Sequence, residues 1–163
     1  MHLLLFRHGI AEDAGPGVDD AARRLTDEGV TKTRLAAAGL SRIISSPGII
    51  LSSPLTRARQ TAKLLREVFD VEVAECAALA QHDLDAILRE VAKQDRESVI
   101  LVGHEPTFSS LAESLLTGQP PRGVIEMKKA GCIALELTWR RSRVAGARLL
   151  WLATPAMLRA MAG

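Results

Sequence analysis

The sequence predicts an α/β fold, a single three-layer α/β/α domain over residues 1–163 with a mainly parallel central sheet of about six strands and an antiparallel edge. Three observations lead there. Short apolar runs bounded by turn residues recur along the chain, helical patterns separate the first four of them, and the last two runs flank a basic turn with no helix between them. A chain of 163 residues suits one buried core.

The first strand is expected over Leu3 to Phe6, where four apolar residues end at Arg7, His8 and Gly9. A helix follows over Thr26 to Leu40, with Thr26 as N-cap and Asp27 and Glu28 set against the positive end of the helix dipole. Ile49 to Leu51 reads as the second strand, and Pro54 to Phe69 as the second helix, with Pro54 at the first helical position, where it loses no hydrogen bond. Val71 to Val73 is the third strand, Asp83 to Lys93 the next helix and Val99 to Val102 the fourth strand. Pro106 to Leu116 is a further helix with proline again placed at its start. Ile133 to Leu137 and Ala147 to Leu152 form an antiparallel pair at a sheet edge. Two loops containing Gly and Pro, Gly15 to Asp20 and Gly118 to Gly123, stand where loops can border an active site.

Composition narrows the function. Hydrophobic residues make up 47% and charged residues 25%, as in an ordinary globular protein, and 21 basic against 19 acidic residues leave a net charge of only +2. Arg140, Arg141 and Arg143 read as a solvated hairpin tip, and nucleic acid is not an expected partner. Cys76 and Cys132 belong to no Cys-x-x-Cys pair, so neither zinc nor a disulfide framework is indicated, and a reducing, cytoplasmic setting is expected. Leu3 to Phe6 is too short for a signal-peptide core. Leu149 to Met161 is too short to cross a bilayer and carries Pro155 and Arg159, so no membrane is expected.

Ligands of open parallel sheets bind beyond the carboxyl ends of the strands. Those positions here hold Arg7, His8 and Gly9 after the first strand, Ser52, Ser53 and then Arg57 after the second, and Gly103, His104 and Glu105 after the fourth. Taken singly, each histidine could be a hydrogen-bonded structural residue, Arg57 a solvated helix residue and Arg7 a strand cap. Parallel topology brings all four to one rim, where cationic groups repel unless an anion sits among them.

Phosphate meets that demand, since arginine presents a planar fork of donors that stays charged. Phosphoryl transfer relies on positioning and charge stabilisation, which two arginines, a second histidine and helix amides supply. The candidate nucleophiles are His8, Ser52 and Ser53. His8 is favoured because a neutral imidazole attacks phosphorus without first losing a proton, whereas the serines have no evident base beyond the histidines. A metal mechanism would draw on the histidines with Glu12, Asp13 and Glu105, but two arginines oppose a cation and no His-x-x-x-His or clustered Asp motif occurs, so neither metal nor other cofactor is expected.

The segments Leu5 to Gly9 (Leu-Phe-Arg-His-Gly), Ser53 to Thr61 (Ser-Pro-Leu-Thr-Arg-Ala-Arg-Gln-Thr) and Leu101 to Pro106 (Leu-Val-Gly-His-Glu-Pro) resemble the histidine phosphatase, or phosphoglycerate mutase-like, superfamily. The Arg23-Arg24-Leu25-Thr26 segment with Gly29, and the lack of a large helical insertion after the third strand, resemble its SixA-type phosphohistidine phosphatase branch. The resemblance covers Met1 to about Leu116. It implies that His8 is the phosphorylated nucleophile, that Arg7, Arg57 and His104 bind the phosphoryl oxygens, and that water then releases phosphate.

One departure from the superfamily bears on the substrate. Where mutases and many small-molecule phosphatases carry a proton-donating Glu after the third strand, this chain has Ala77 to Asp83. An activated substrate needs less protonation, so a phosphorylated protein, such as a phosphotransfer domain carrying phosphohistidine, is the expected partner. A small phosphate ester served by His82, Asp83, Glu12 or Asp13 as donor, and a non-catalytic phosphate-binding module, are the alternatives. Asp83 also reads as a helix N-cap, His82 as a surface residue, and Glu75 is unassigned at a strand end.

Overall fold

The computed structural model describes residues 1–163. It has six strands, β1 (His2–Arg7), β2 (Ile49–Ser52), β3 (Val73–Glu75), β4 (Ser98–Gly103), β5 (Cys132–Arg140) and β6 (Arg143–Ala153). Six helices accompany them, α1 (Asp27–Leu40), α2 (Thr56–Phe69), α3 (Ala78–Gln81), α4 (Leu84–Ala92), α5 (Thr107–Thr117) and α6 (Pro155–Ala160). One sheet runs in the order β3-β2-β4-β1-β5-β6. Its first four strands are parallel, and β5 and β6 complete an antiparallel edge, as expected.

Strand alternation sorts the core into two layers. In β1, Leu3 and Leu5 pack with Leu79, Ile87, Phe108 and Leu111 of α3, α4 and α5. Leu4 and Phe6 point to the other face, against Leu40, Leu65 and Leu158 of α1, α2 and α6. Each fully buried Leu or Phe contributes roughly 1.5–3 kcal/mol, so the central strands are well anchored under the rim they carry. No helix is long and apolar enough to cross a membrane.

Several boundaries differ from the sequence expectation. β3 begins two residues later than expected, at Val73, because the left-handed Asp70 ends α2 and the chain must first reach the register in which Val73 faces Ile50. Helix α2 starts at Thr56, not at Pro54. The Ser53-Pro54-Leu55 turn precedes it, and Leu55 N–H donates to Ser53 Oγ at 3.3 Å. Pro106 is likewise the residue before the first turn of α5. The helix expected over Asp83 to Lys93 is α4, with the separate turn α3 ahead of it, and Asp83 caps α4 by accepting from Ala86 N–H at 2.9 Å. The β5–β6 hairpin is longer than its apolar runs, and its two-residue turn, Arg141 and Ser142, is left-handed at both positions, as a type I′ turn requires. Helix α6 differs from the sequence expectation, which has no helix there, although Thr154 caps it and Pro155 opens it.

Candidate active site

The carboxyl ends of β1, β2 and β4 meet through the backbone. His8 N–H donates to Gly103 O at 3.0 Å, and Ser53 N–H to Val102 O at 2.9 Å. This register places His8, Ser53 and His104 on adjacent strand ends. The ring centroids of His8 and His104 lie 5.1 Å apart, with the planes inclined by 52°. Both side chains are buried, at 5% and 4% exposure.

His8 has one fixed tautomer. Its Nδ1 lies 2.7 Å from Gly9 O, and a carbonyl only accepts, so Nδ1 carries the proton and Nε2 keeps its lone pair. Burial, with smaller contributions from His104, Arg57 and Arg7, pushes His8 down to about 3, despite the opposing Gly9 hydrogen bond. His104 is pushed down to about 4, first by burial and then by Arg57 and His82. Its Nε2 is hydrogen-bonded to Ser53 Oγ at 2.7 Å, and its Nδ1 has no partner.

The rim therefore does not hold four repelling cations. Two imidazoles are neutral because charging them in a dry pocket is unfavourable. One arginine is also paired, since Arg57 Nη1 donates to Asp20 O at 2.7 Å and Nη2 to Asp20 Oδ2 at 3.0 Å. Arg57 holds the Asp20 carboxyl below its usual range, mainly through that hydrogen bond. Asp20 was not among the candidate residues, although its loop was, and its link to a residue 37 positions away depends on tertiary structure.

Arg7 donates through Nη1 to Met127 O, which ties the end of β1 to the segment before β5. That segment is organised by Glu113 of α5, whose carboxylate accepts from the N–H groups of Arg122, Gly123 and Ile125 at 2.6, 3.0 and 2.8 Å. These backbone donors draw the Glu113 carboxyl below its usual range. The end of the loop Gly118 to Gly123 is thus anchored to α5, and the segment after it reaches Arg7 through Met127.

Gly9 lies where α1 comes closest to the end of β1. A methyl group there would stand 2.1 Å from Thr33 Oγ1 and 3.3 Å from Gly29 O, so glycine is needed for the close approach of α1. Gly9 N–H also donates to Thr61 Oγ1 at 3.1 Å, and Thr61 donates to Arg57 O at 2.8 Å. Thr61 thereby locks the first turns of α2 to the end of β1.

The remaining candidates are mostly committed to local structure. Ser52 Oγ donates to Ser53 O at 3.0 Å, and Ser53 faces His104, whose free Nδ1 has no third group to orient it as a general base would require. Glu12 accepts from Arg24 N–H at 3.0 Å, Glu75 pairs with Arg59 at 2.5 Å, and Asp13 is exposed. His82 is exposed and hydrogen-bonded to Thr107 Oγ1 in the first turn of α5.

Comparison with known proteins agrees with this arrangement. The family described as the histidine phosphatase superfamily (branch 1) matches residues 3–87, which include His8 and Arg57. An uncharacterized protein of Picosynechococcus sp. is 36% identical over 140 residues, covering 83% of this chain and 84% of its own. A protein provisionally assigned as the phosphohistidine phosphatase SixA of Agrobacterium tumefaciens superposes with a TM-score of 0.75 at 25% identity, covering 94% of this chain and 97% of that one. A second provisional SixA, from Nakamurella multipartitia, gives a TM-score of 0.79 at 25% identity over 94% and 95% of the two chains. With a strand order, a rim of histidines and arginines and a sequence match that all agree, the chain belongs to the histidine phosphatase superfamily, as a phosphatase of its SixA-type branch.

Proposed function

We propose that this phosphatase works through a phosphohistidine on His8 and that its physiological substrate is a phosphohistidine borne by a protein, such as a phosphotransfer domain. The observation that carries the reading is the His8 tautomer. With Nδ1–H donated to Gly9 O and burial keeping the ring neutral, the Nε2 lone pair is available for in-line attack at phosphorus. Arg7 and Arg57 offer guanidinium donors to the phosphoryl oxygens, and His104 offers an imidazole 5.1 Å from His8, with Ser53 fixing its other edge. Asp20 must yield Arg57 to an incoming phosphoryl group, whose dianionic charge, spread over its oxygens, compensates for the lost carboxylate. Two guanidiniums in place of a cation favour a metal-independent reaction.

The protein substrate is favoured by the likeness to proteins named as SixA phosphohistidine phosphatases and by the absence of a carboxylic acid in the Ala77 to Gln81 stretch. Transfer from one imidazole to another exchanges like bonds and makes little demand on a proton donor. The test uses chelator-treated enzyme. It should release phosphate from p-nitrophenyl phosphate and from a phosphorylated phosphotransfer domain, and His8→Ala should abolish both. Turnover retained in His8→Ala would refute the nucleophile, and rapid turnover of sugar phosphates alone would refute the substrate class.

A further inference from the structure

His82 follows α3 in a left-handed backbone conformation, with φ 56° and ψ 26°. Glycine takes this conformation without strain, whereas a side chain there is disfavoured unless its surroundings hold it or its function requires it. The ring is held: Nδ1 is hydrogen-bonded to Thr107 Oγ1, and Thr107 is buried in the first turn of α5, three residues beyond His104. The effect of His82 on the charge state of His104 agrees with its closeness to the rim. With Nδ1 engaged, Nε2 is the remaining nitrogen, on an exposed side chain.

The carboxylates nearby are already used. Asp20, on yielding Arg57, keeps its ion pair with Arg23 at 3.3 Å, Asp83 caps α4, Glu75 pairs with Arg59, Glu12 accepts from Arg24 N–H, and Glu105 accepts from both Ser109 N–H and Ser109 Oγ. We propose that His82, held by Thr107, is the proton donor to the leaving oxygen when the substrate is a phosphate ester, a role that rests on His8 as nucleophile. The His8 Nε2 lone pair forms the N–P bond as the P–O bond breaks. That bond's electron pair stays on the leaving oxygen, which takes the Nε2 proton of imidazolium His82. In the second step water attacks the phosphorus, the new O–P bond forms, the N–P electron pair returns to His8 and dihydrogen phosphate leaves with the water's protons, while exposed His82 regains its proton from solvent. The site is then equipped for alkyl phosphates as well as for phosphohistidine.

The experiment is a leaving-group series, from p-nitrophenyl phosphate through phenyl to alkyl phosphates, with wild type, His82→Gly, His82→Asn and Asp13→Asn. Glycine suits the left-handed position, so His82→Gly should fold at least as well as wild type. Its rate on p-nitrophenyl phosphate should change by less than about threefold while alkyl phosphate turnover falls on the order of 10²–10⁴-fold. Turnover of a phosphorylated phosphotransfer domain should be unchanged. An equal loss across the whole series would overturn the proposal, because His82 would then act only by positioning Thr107 and His104. No loss on alkyl phosphates, or the steepened series in Asp13→Asn instead, would overturn it too. Labelling with ³²P is read in parallel. An acid-labile label on wild type and His82→Gly, missing from His8→Ala, upholds the nucleophile on which the proposal stands, and a label persisting in His8→Ala would overturn both.

Discussion

Lowering the pH from 8 to 5 should destabilise this protein through its two buried rim histidines, His8 and His104. In the folded chain His8 lies at about 3 and His104 at about 4, against 6.5 for both when unfolded. Each is therefore neutral in the native state and protonated in the unfolded state between those limits. The unfolded chain binds more protons, so stability is greatest above 6.5 and falls as pH drops through 6.5 toward the native values. At pH 5, about 1.5 units below the unfolded value, each histidine costs about 2 kcal/mol, and the pair costs about 4 kcal/mol. That result needs only that both native values lie well below 5. With a urea slope near 2 kcal/mol/M, the unfolding midpoint should fall by roughly 2 M. The assay is urea unfolding at pH 8 and pH 5 for wild type and for the double variant His8→Asn, His104→Asn, which removes both titrations and leaves His2 and His82 in place. The wild type should lose about 4 kcal/mol more than the double variant over this range. A difference below about 1 kcal/mol would refute the reasoning, since the two rings would then titrate in the folded protein much as they do in the unfolded chain.

Three other outcomes follow from named contacts. Gly9→Ala should destabilise by about 1–3 kcal/mol through overpacking on Thr33 Oγ1 and α1, and much of that loss should disappear in a Thr33→Ala background, as thermal unfolding of the four-member cycle would report. Thr33→Ala alone should cost little, because its buried hydroxyl has no hydrogen-bond partner. Glu113→Ala should lower both the melting temperature and the turnover of p-nitrophenyl phosphate, by freeing the segment that leads to Met127 and Arg7, while Glu113→Gln, which keeps one acceptor, should do less harm. Arg57→Ala should reduce kcat by about hundredfold or more, as loss of one preorganised donor does, and an unchanged rate would place Arg57 outside the transition-state contacts.

Much of the architecture could be read from local pattern. Four apolar runs alternating with helical stretches require a parallel sheet with helices on both faces, and parallel topology brings the residues after β1, β2 and β4 to one rim. That is enough to gather Arg7, His8, Arg57 and His104 at one edge, because parallel direction follows from the alternation of strands and helices, whereas the order β3-β2-β4-β1 came only with the structure. The two closing runs around Arg140, Arg141 and Arg143 likewise predict the antiparallel edge. Boundaries were less legible where pairing decided them. β3 starts at Val73 because β2 sets its register, and α2 waits until Thr56 because Ser53 first closes a turn.

The sequence by itself determined the sheet, the rim and the residue types able to handle phosphate, since these depend on spacing along the chain. Only the tertiary structure decided their charge and their partners. Burial, which no local pattern records, makes His8 and His104 neutral and removes the four-cation repulsion. Asp20 reaches Arg57 across 37 positions, Met127 reaches Arg7 across 120, and Gly9 proves to serve α1. His82 is one of four candidate donors in the sequence, and its left-handed backbone and its bond to Thr107 single it out only in the structure. The physical reason is common to all of them: desolvation and long-range hydrogen bonds depend on distances in space, and the chain brings those groups together only once its core has packed.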